Sequence, residues 1–200
     1  MKVDEMDEFS ISINPLNFFS FEIDCYRYLN AFTSQHTLPD LSLISETSLL
    51  ANISLGWSSA GLHFQIEGNQ AYEMFICIDT RNQKSTGFPT RYCHTFQLSL
   101  QPGEEPEVKE VTKFRSEDRH DLCFSEDLLL KYTTKKNGSK IELHIPSNCL
   151  YGYDPQEISK MGFTYHIEDS KGNAQDFSVT SSLFHVDQVP SQWSTLKFIP

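Results

Sequence analysis

Apolar and polar residues alternate with a period of two along most of the chain, the pattern of half-buried strands. In Leu62-His63-Phe64-Gln65-Ile66-Glu67, the apolar set is Leu62, Phe64 and Ile66, and the polar set is His63, Gln65 and Glu67. Ile141-Glu142-Leu143-His144-Ile145 and Phe163-Thr164-Tyr165-His166-Ile167-Glu168 repeat the pattern. Residues 94–100 repeat it with His94 on the apolar register. Residues 72–79 are apolar on both registers, which predicts a central strand covered on both faces. Further strands are expected at 9–13, 19–23, 50–57, 108–114, 128–133, 175–179 and 195–199.

Turn residues separate these runs. Ser58-Ser59-Ala60-Gly61, Lys136-Asn137-Gly138-Ser139 and Ser170-Lys171-Gly172-Asn173 each predict a reversal, the second with an Asn-Gly hairpin signal. Helical signal is sparse. Asp154-Pro155 offers an N-cap and a first-turn proline for one or two turns over 154–160, and Ser125-Glu126-Asp127 starts another short turn. About eleven short strands without long helices predict an all-β protein, an antiparallel, jelly-roll-like β-sandwich. Residues 9–200 read as one domain after a frayed stretch at 1–8. Residues 101–127, the most charged stretch, read as a long excursion at one end of the sandwich.

Composition narrows the classes. The 200 residues include 15 Phe, 8 Tyr and 2 Trp, and 38% are apolar. A chain of this length buries roughly 70% of its extended surface, enough for one real core. The net charge of −11 argues against nucleic acid and anionic membrane surfaces, which need cationic side chains. No apolar run approaches the roughly 20 residues of a membrane-spanning helix. The opening Met-Lys-Val-Asp-Glu-Met-Asp-Glu has no apolar core of a secretory signal, so a cytoplasmic location is expected, with non-standard secretion left open. Cys25, Cys77, Cys93, Cys123 and Cys149 are odd in number and scattered, which predicts neither a disulfide framework nor a zinc knuckle. Cys77 and Cys93 read as small core residues. Without a signal peptide, the sequons at Asn52 and Asn137 read as chance matches.

Several segments, in order, resemble a known family. Leu55-Gly56-Trp57-Ser58-Ser59-Ala60-Gly61-Leu62-His63-Phe64 is similar to the opening hairpin of carbohydrate-binding module family 9 and related DOMON-like domains. Residues 73–82 resemble that family's E-x-F-I-D-x-R-N strand. Arg91-Tyr92-Cys93-His94-Thr95-Phe96 resembles the following strand in a bacterial branch. Ile141 to Pro146, the stretch from Leu150 to Tyr165, and Gln192 to Leu196 resemble its later segments. The resemblance covers roughly residues 50–199. It implies a jelly-roll-like sandwich. It also implies, for sugar-binding members, aromatic rings that clamp a terminal sugar and polar side chains that bond its hydroxyls.

Three groups of residues are candidates for chemistry. Arg81, Asn82, Arg91 and Tyr92 flank one loop, where an Arg fork suits vicinal hydroxyls and Tyr can stack on a sugar face. The bland alternative is an Asp79–Arg81 ion pair that fixes the loop. Gln175 and Asp176 sit at a strand rim and could bond a ligand or cap the strand, and Trp193 could stack on a ligand or plug the core. His63, His144 and His166 share the polar register and could hold zinc if their strands were neighbours; otherwise they lie on a solvated face. No acidic run has calcium-loop spacing, and neither a nucleophile elbow nor a phosphate loop occurs. The reading that follows is a non-catalytic binding module for a carbohydrate or related polyol, with no evident cofactor and Ca or Zn as open options. Two alternatives stand beside it: an intracellular protein–protein interaction domain, and a metal-dependent hydrolase on a His-lined sheet face.

Overall fold

The alternating segments become two facing sheets in the computed structural model, which describes residues 21–41, 49–68, 72–85, 87–135, 138–177 and 188–200. Eleven strands lie among them: β1 (Glu22–Tyr26), β2 (Ala51–Ser58), β3 (Gly61–Gly68), β4 (Tyr72–Asp79), β5 (Cys93–Leu100), β6 (Glu107–Glu110), β7 (Leu129–Lys135), β8 (Gly138–Pro146), β9 (Lys160–Asp169), β10 (Ala174–Asp176) and β11 (Ser194–Ile199). One sheet runs β1-β11-β9-β4-β5-β6, with β10 also paired to β9, and the other runs β2-β3-β8-β7. β1 and β11 are parallel; the remaining pairs are antiparallel. The expected all-β sandwich is what forms.

Register decides which side chains fill the core. Leu62, Phe64 and Ile66 pair with Ile145, Leu143 and Ile141 in one sheet. Met74, Ile76 and Ile78 pair with Ile167, Tyr165 and Phe163 in the other. All twelve are buried in one continuous cluster. Each such side chain contributes roughly 1.5–3 kcal/mol by leaving water. Phe177 joins the aromatic part of this core, with its ring centroid 5.1 Å from Phe163, 5.3 Å from Tyr165 and 5.5 Å from Phe21. Gly61 closes the β2–β3 turn at φ 135°; a Cβ there would stand 2.1 Å from the Ile145 carbonyl oxygen, so only glycine fits.

Several details depart from the sequence expectations. The strand expected at 108–114 ends at Glu110, because the Thr112 hydroxyl, in place of a main-chain carbonyl, accepts the Thr95 N–H at 2.8 Å. The helical signal at 154–160 yields a single turn: Ile158 N–H donates to the Asp154 carbonyl, and the Asp154 carboxylate accepts the Gln156 and Glu157 N–H groups. Cys123 and Cys149 form a disulfide, 26 residues apart in sequence. The β7–β8 hairpin lies between them and returns the chain to within 5.1 Å, Cα to Cα, which scattered spacing does not show. Cys77 and Cys93 are buried as expected, although on the outer side of the seven-stranded sheet, beneath Trp193. The strand expected at 9–13, the frayed stretch at 1–8, the turn residues Lys136 and Asn137, and the ends of the runs at 19–23 and 175–179 lie outside the described residues. No helix among the described residues is long and apolar enough to cross a membrane.

Candidate functional site

The charged excursion after β6 and the turn after β8 enclose an open cleft of about 670 Å³ at one end of the sandwich. Arg119, His120, Phe124 and Asp127 line it from the excursion, and Asn148 and Tyr151 from the turn. The Cys123–Cys149 disulfide ties the two walls together. Two aromatic side chains in this lining remain exposed: Phe124 at 69% and Tyr151 at 45%. Phe88, 47% exposed, lies outside the cleft with the Arg115 guanidinium over its ring, whereas Phe124 and Tyr151 turn exposed ring surface to a concavity. Polar donors and acceptors ring it, and the Arg91 guanidinium, paired with Asp118, also bonds the Tyr151 hydroxyl at the rim.

Behind the cleft runs a ladder of stacked groups. The Arg81 guanidinium lies 5.7 Å from the Tyr92 ring centroid, a cation–π distance. Tyr92 lies 5.5 Å from Tyr151, and Tyr151 is parallel to His120 at 6.0 Å. Gly152, at φ 78°, lets the turn approach this ladder: a Cβ there would meet the Tyr92 ring at 2.6 Å. The ladder fixes the Tyr151 ring from behind and leaves its exposed part toward the cleft.

His120 leads from the cleft into a buried polar cluster. His94, on the inward register of β5, donates or accepts through Nδ1 at 2.9 Å from Glu110 Oε1. His120 Nε2 is also 2.9 Å from Glu110 Oε1. Thr112 donates to the same oxygen at 2.7 Å, and the Cys123 N–H donates to Oε2 at 2.8 Å. Burial alone would raise the Glu110 carboxyl; bonds from His120 and His94 instead hold it down at about 2. Burial pushes His94 below its ordinary value, against the pull of Glu110. The register could have revealed this cluster, since His94 and Glu110 both fall among apolar neighbours that face the core.

The loop residues singled out from sequence divide into two groups. Arg81, Arg91 and Tyr92 come together beside Tyr151, at the rim of the cleft and behind it. Asn82 does not join them: its Oδ1 accepts the Thr195 hydroxyl at 3.3 Å on the neighbouring part of the sheet. The Asp79 carboxylate accepts the main-chain N–H groups of Arg81 and Lys84 at 3.1 Å each, so it fixes the loop through amides and not through the Arg81 guanidinium. Its burial raises its pKa.

The remaining expected contacts are internal. Gln175 is 4% exposed. Its Oε1 accepts the Leu50 and Ala51 N–H groups, and its Nε2 donates to the Ala51 carbonyl and the Tyr165 hydroxyl. It staples β10 to β2 across the sandwich. Asp176 holds His166 Nδ1 at 2.7 Å. Trp193 is fully buried and plugs the outer side of the seven-stranded sheet.

The three polar-register histidines do not converge, a correction with a simple cause. β3 and β8 are neighbours, so His63 and His144 stack at 4.2 Å. β9 belongs to the other sheet, so His166 sits on the opposite side of the sandwich, with Asp176 and Glu168. Alternation assigns a face to each residue and leaves strand order open. The residues that sequence reasoning missed are Phe124, Asn148 and Tyr151, whose irregular segments carry no periodic signal.

No protein-family model matches the chain, and no curated protein is similar to it. Among solved structures, the chain is similar to a carbohydrate binding module family 9 (CBM9) from Caldicellulosiruptor kristjanssonii in complex with cellotriose. The TM-score is 0.56 at 13% identity, over 88% of this chain and 93% of that one. It is also similar to a CBM9 from the same organism in complex with glucose, with a TM-score of 0.52 at 14% identity, over 88% and 95% of the two chains. The chain therefore has a CBM9-like fold, agreeing with the motif resemblance.

Proposed function

We propose that the chain is a non-catalytic carbohydrate-binding module whose ligand enters the cleft between the excursion and the β8–β9 turn. The observation that carries this reading is the pair of exposed aromatic side chains, Phe124 and Tyr151, lining a concave surface with Arg119, Asp127 and Asn148. An aromatic ring covers the apolar C–H face of a sugar. The planar Arg fork, the Asp carboxylate and the Asn amide suit the hydroxyls at the sugar edge. The CBM9-like fold supports the same ligand class, since similar modules are seen with cellotriose and glucose.

A magnitude follows from ligand size. At roughly 0.3 kcal/mol per non-hydrogen atom, one hexose of about 12 such atoms gains about 3.6 kcal/mol, a dissociation constant in the millimolar range. Tighter binding requires a longer saccharide that reaches both rings. Calorimetric titration with glucose, cello-oligosaccharides and other saccharides tests the reading. Saturable heat that grows with chain length, and weakens about tenfold or more in Tyr151→Ala, is expected. No heat with any saccharide would overturn it.

A further inference from the structure

The His94–Glu110–His120 cluster does more than the sugar cleft requires. Three donors or ring nitrogens converge on one carboxylate oxygen: His94 Nδ1 at 2.9 Å, His120 Nε2 at 2.9 Å and Thr112 Oγ1 at 2.7 Å. A carboxylate oxygen offers about two lone-pair sites, so Glu110 Oε1 is oversubscribed while Oε2 takes the Cys123 N–H. On the far side of its ring, His120 Nδ1 faces the Arg91 carbonyl at 2.6 Å and must carry a proton to bond it.

A cation at the point of convergence accounts for these features together. Both facing ring nitrogens then supply lone pairs in place of competing protons. The His120 Nδ1–H stays on the Arg91 carbonyl, and the second carboxylate oxygen stays on the Cys123 N–H. Outer hydrogen bonds of this kind orient the ligands of metal centres. The three ligand atoms lie within 4.8 Å of one another. Two imidazoles and one carboxylate suit a borderline ion such as zinc, whereas calcium prefers oxygen ligands alone.

We propose that His94, Glu110 and His120 bind a divalent cation of the zinc class, with Thr112 and the Cys123 main chain as positioning partners. The ion joins β5, the end of β6 and the excursion, and so braces the wall that carries His120 and Phe124. A second group of candidate ligands, Cys123, Asp127 and Cys149, offers no thiolates while its cysteines are bonded to each other.

Metal-free protein with its disulfide intact should be titrated with Zn²⁺ by calorimetry and with Co²⁺ by visible absorption. One equivalent is expected, with a cobalt spectrum that lacks thiolate charge transfer, and with a higher unfolding midpoint in the metal-bound protein. Thr112→Val should weaken binding about 10–100-fold, the usual scale for an outer partner. His120→Ala should abolish stoichiometric binding, and His144→Ala on the other face should leave it unchanged. If His120→Ala does not fold, the native stoichiometry, the cobalt spectrum and His144→Ala decide. Substoichiometric uptake by the native chain, a thiolate band, or loss of binding in His144→Ala would each overturn the proposal.

Discussion

Two regions of this sandwich present histidine and aromatic rings at the surface, and they are built to opposite ends. On the outer face of the four-stranded sheet, Tyr28, His63 and His144 form a column with 4.2 Å between successive rings. Each ring uses its face on its neighbour, and Ser58 and the Ala60 carbonyl occupy imidazole nitrogens. At the end of the sandwich, Tyr151 and Phe124 keep ring surface exposed, and the His94–His120 ring pair, also 4.2 Å apart, shares a buried carboxylate through its nitrogens. Aromatic rings that stack on one another are spent on structure. Rings braced from one side around a concavity are available to a ligand.

The largest expected effect lies in the buried cluster. Glu110→Ala leaves His94, His120, Thr112 and the Cys123 N–H without their shared acceptor, and should cost about 3–5 kcal/mol of stability in denaturant unfolding. A loss below about 1 kcal/mol would mean that the cluster is no more consequential than a surface pair. Next comes the tie between the cleft walls. Reducing the Cys123–Cys149 bridge should cost about 3 kcal/mol, as expected for a closed loop of this size, and should weaken saccharide binding. Unchanged binding after reduction would show that the cleft does not need its walls held together.

Smaller effects separate the two faces by pH. Burial and neighbouring His144 depress His63 from 6.5 to about 4. The folded state thus favours its neutral form: its contribution is complete above about pH 6.5 and is lost as pH falls toward about 4. His166 behaves oppositely, because its bond to Asp176 raises its pKa above 6.5 against the effect of burial. Its contribution is complete below pH 6.5 and is lost as pH rises through the raised value. Unfolding stability should therefore fall less steeply on the acid side in His63→Phe, with His94 and His144 supplying the remaining slope, and less steeply near neutral pH in His166→Gln. Identical pH profiles for the two variants would contradict the assigned environments.

The sequence carries the sandwich well because its core rests on alternation, a local property. The paired runs at 62–66, 72–79, 141–145 and 163–167 are the core strands. Strand order is nonlocal, which is why His166 parted from His63 and His144. Isolated side-chain chemistry also misled: Gln175 and Trp193 look like ligand contacts by type, yet the core absorbs both. The cleft was least visible, since Phe124 and Tyr151 meet only after the β7–β8 hairpin folds back and Cys123 reaches Cys149. The inward His94 was visible as a polar residue on an apolar register, and its partner Glu110 lies on the next strand.

Amide chemical-shift mapping during a cello-oligosaccharide titration compares the two regions in one experiment. Saturable shifts confined to residues 117–127 and 148–152, absent in Tyr151→Ala, are the predicted result. Shifts centred on the Tyr28–His63–His144 column, or no saturable shifts with any saccharide, would contradict the assignment of the cleft as the binding site.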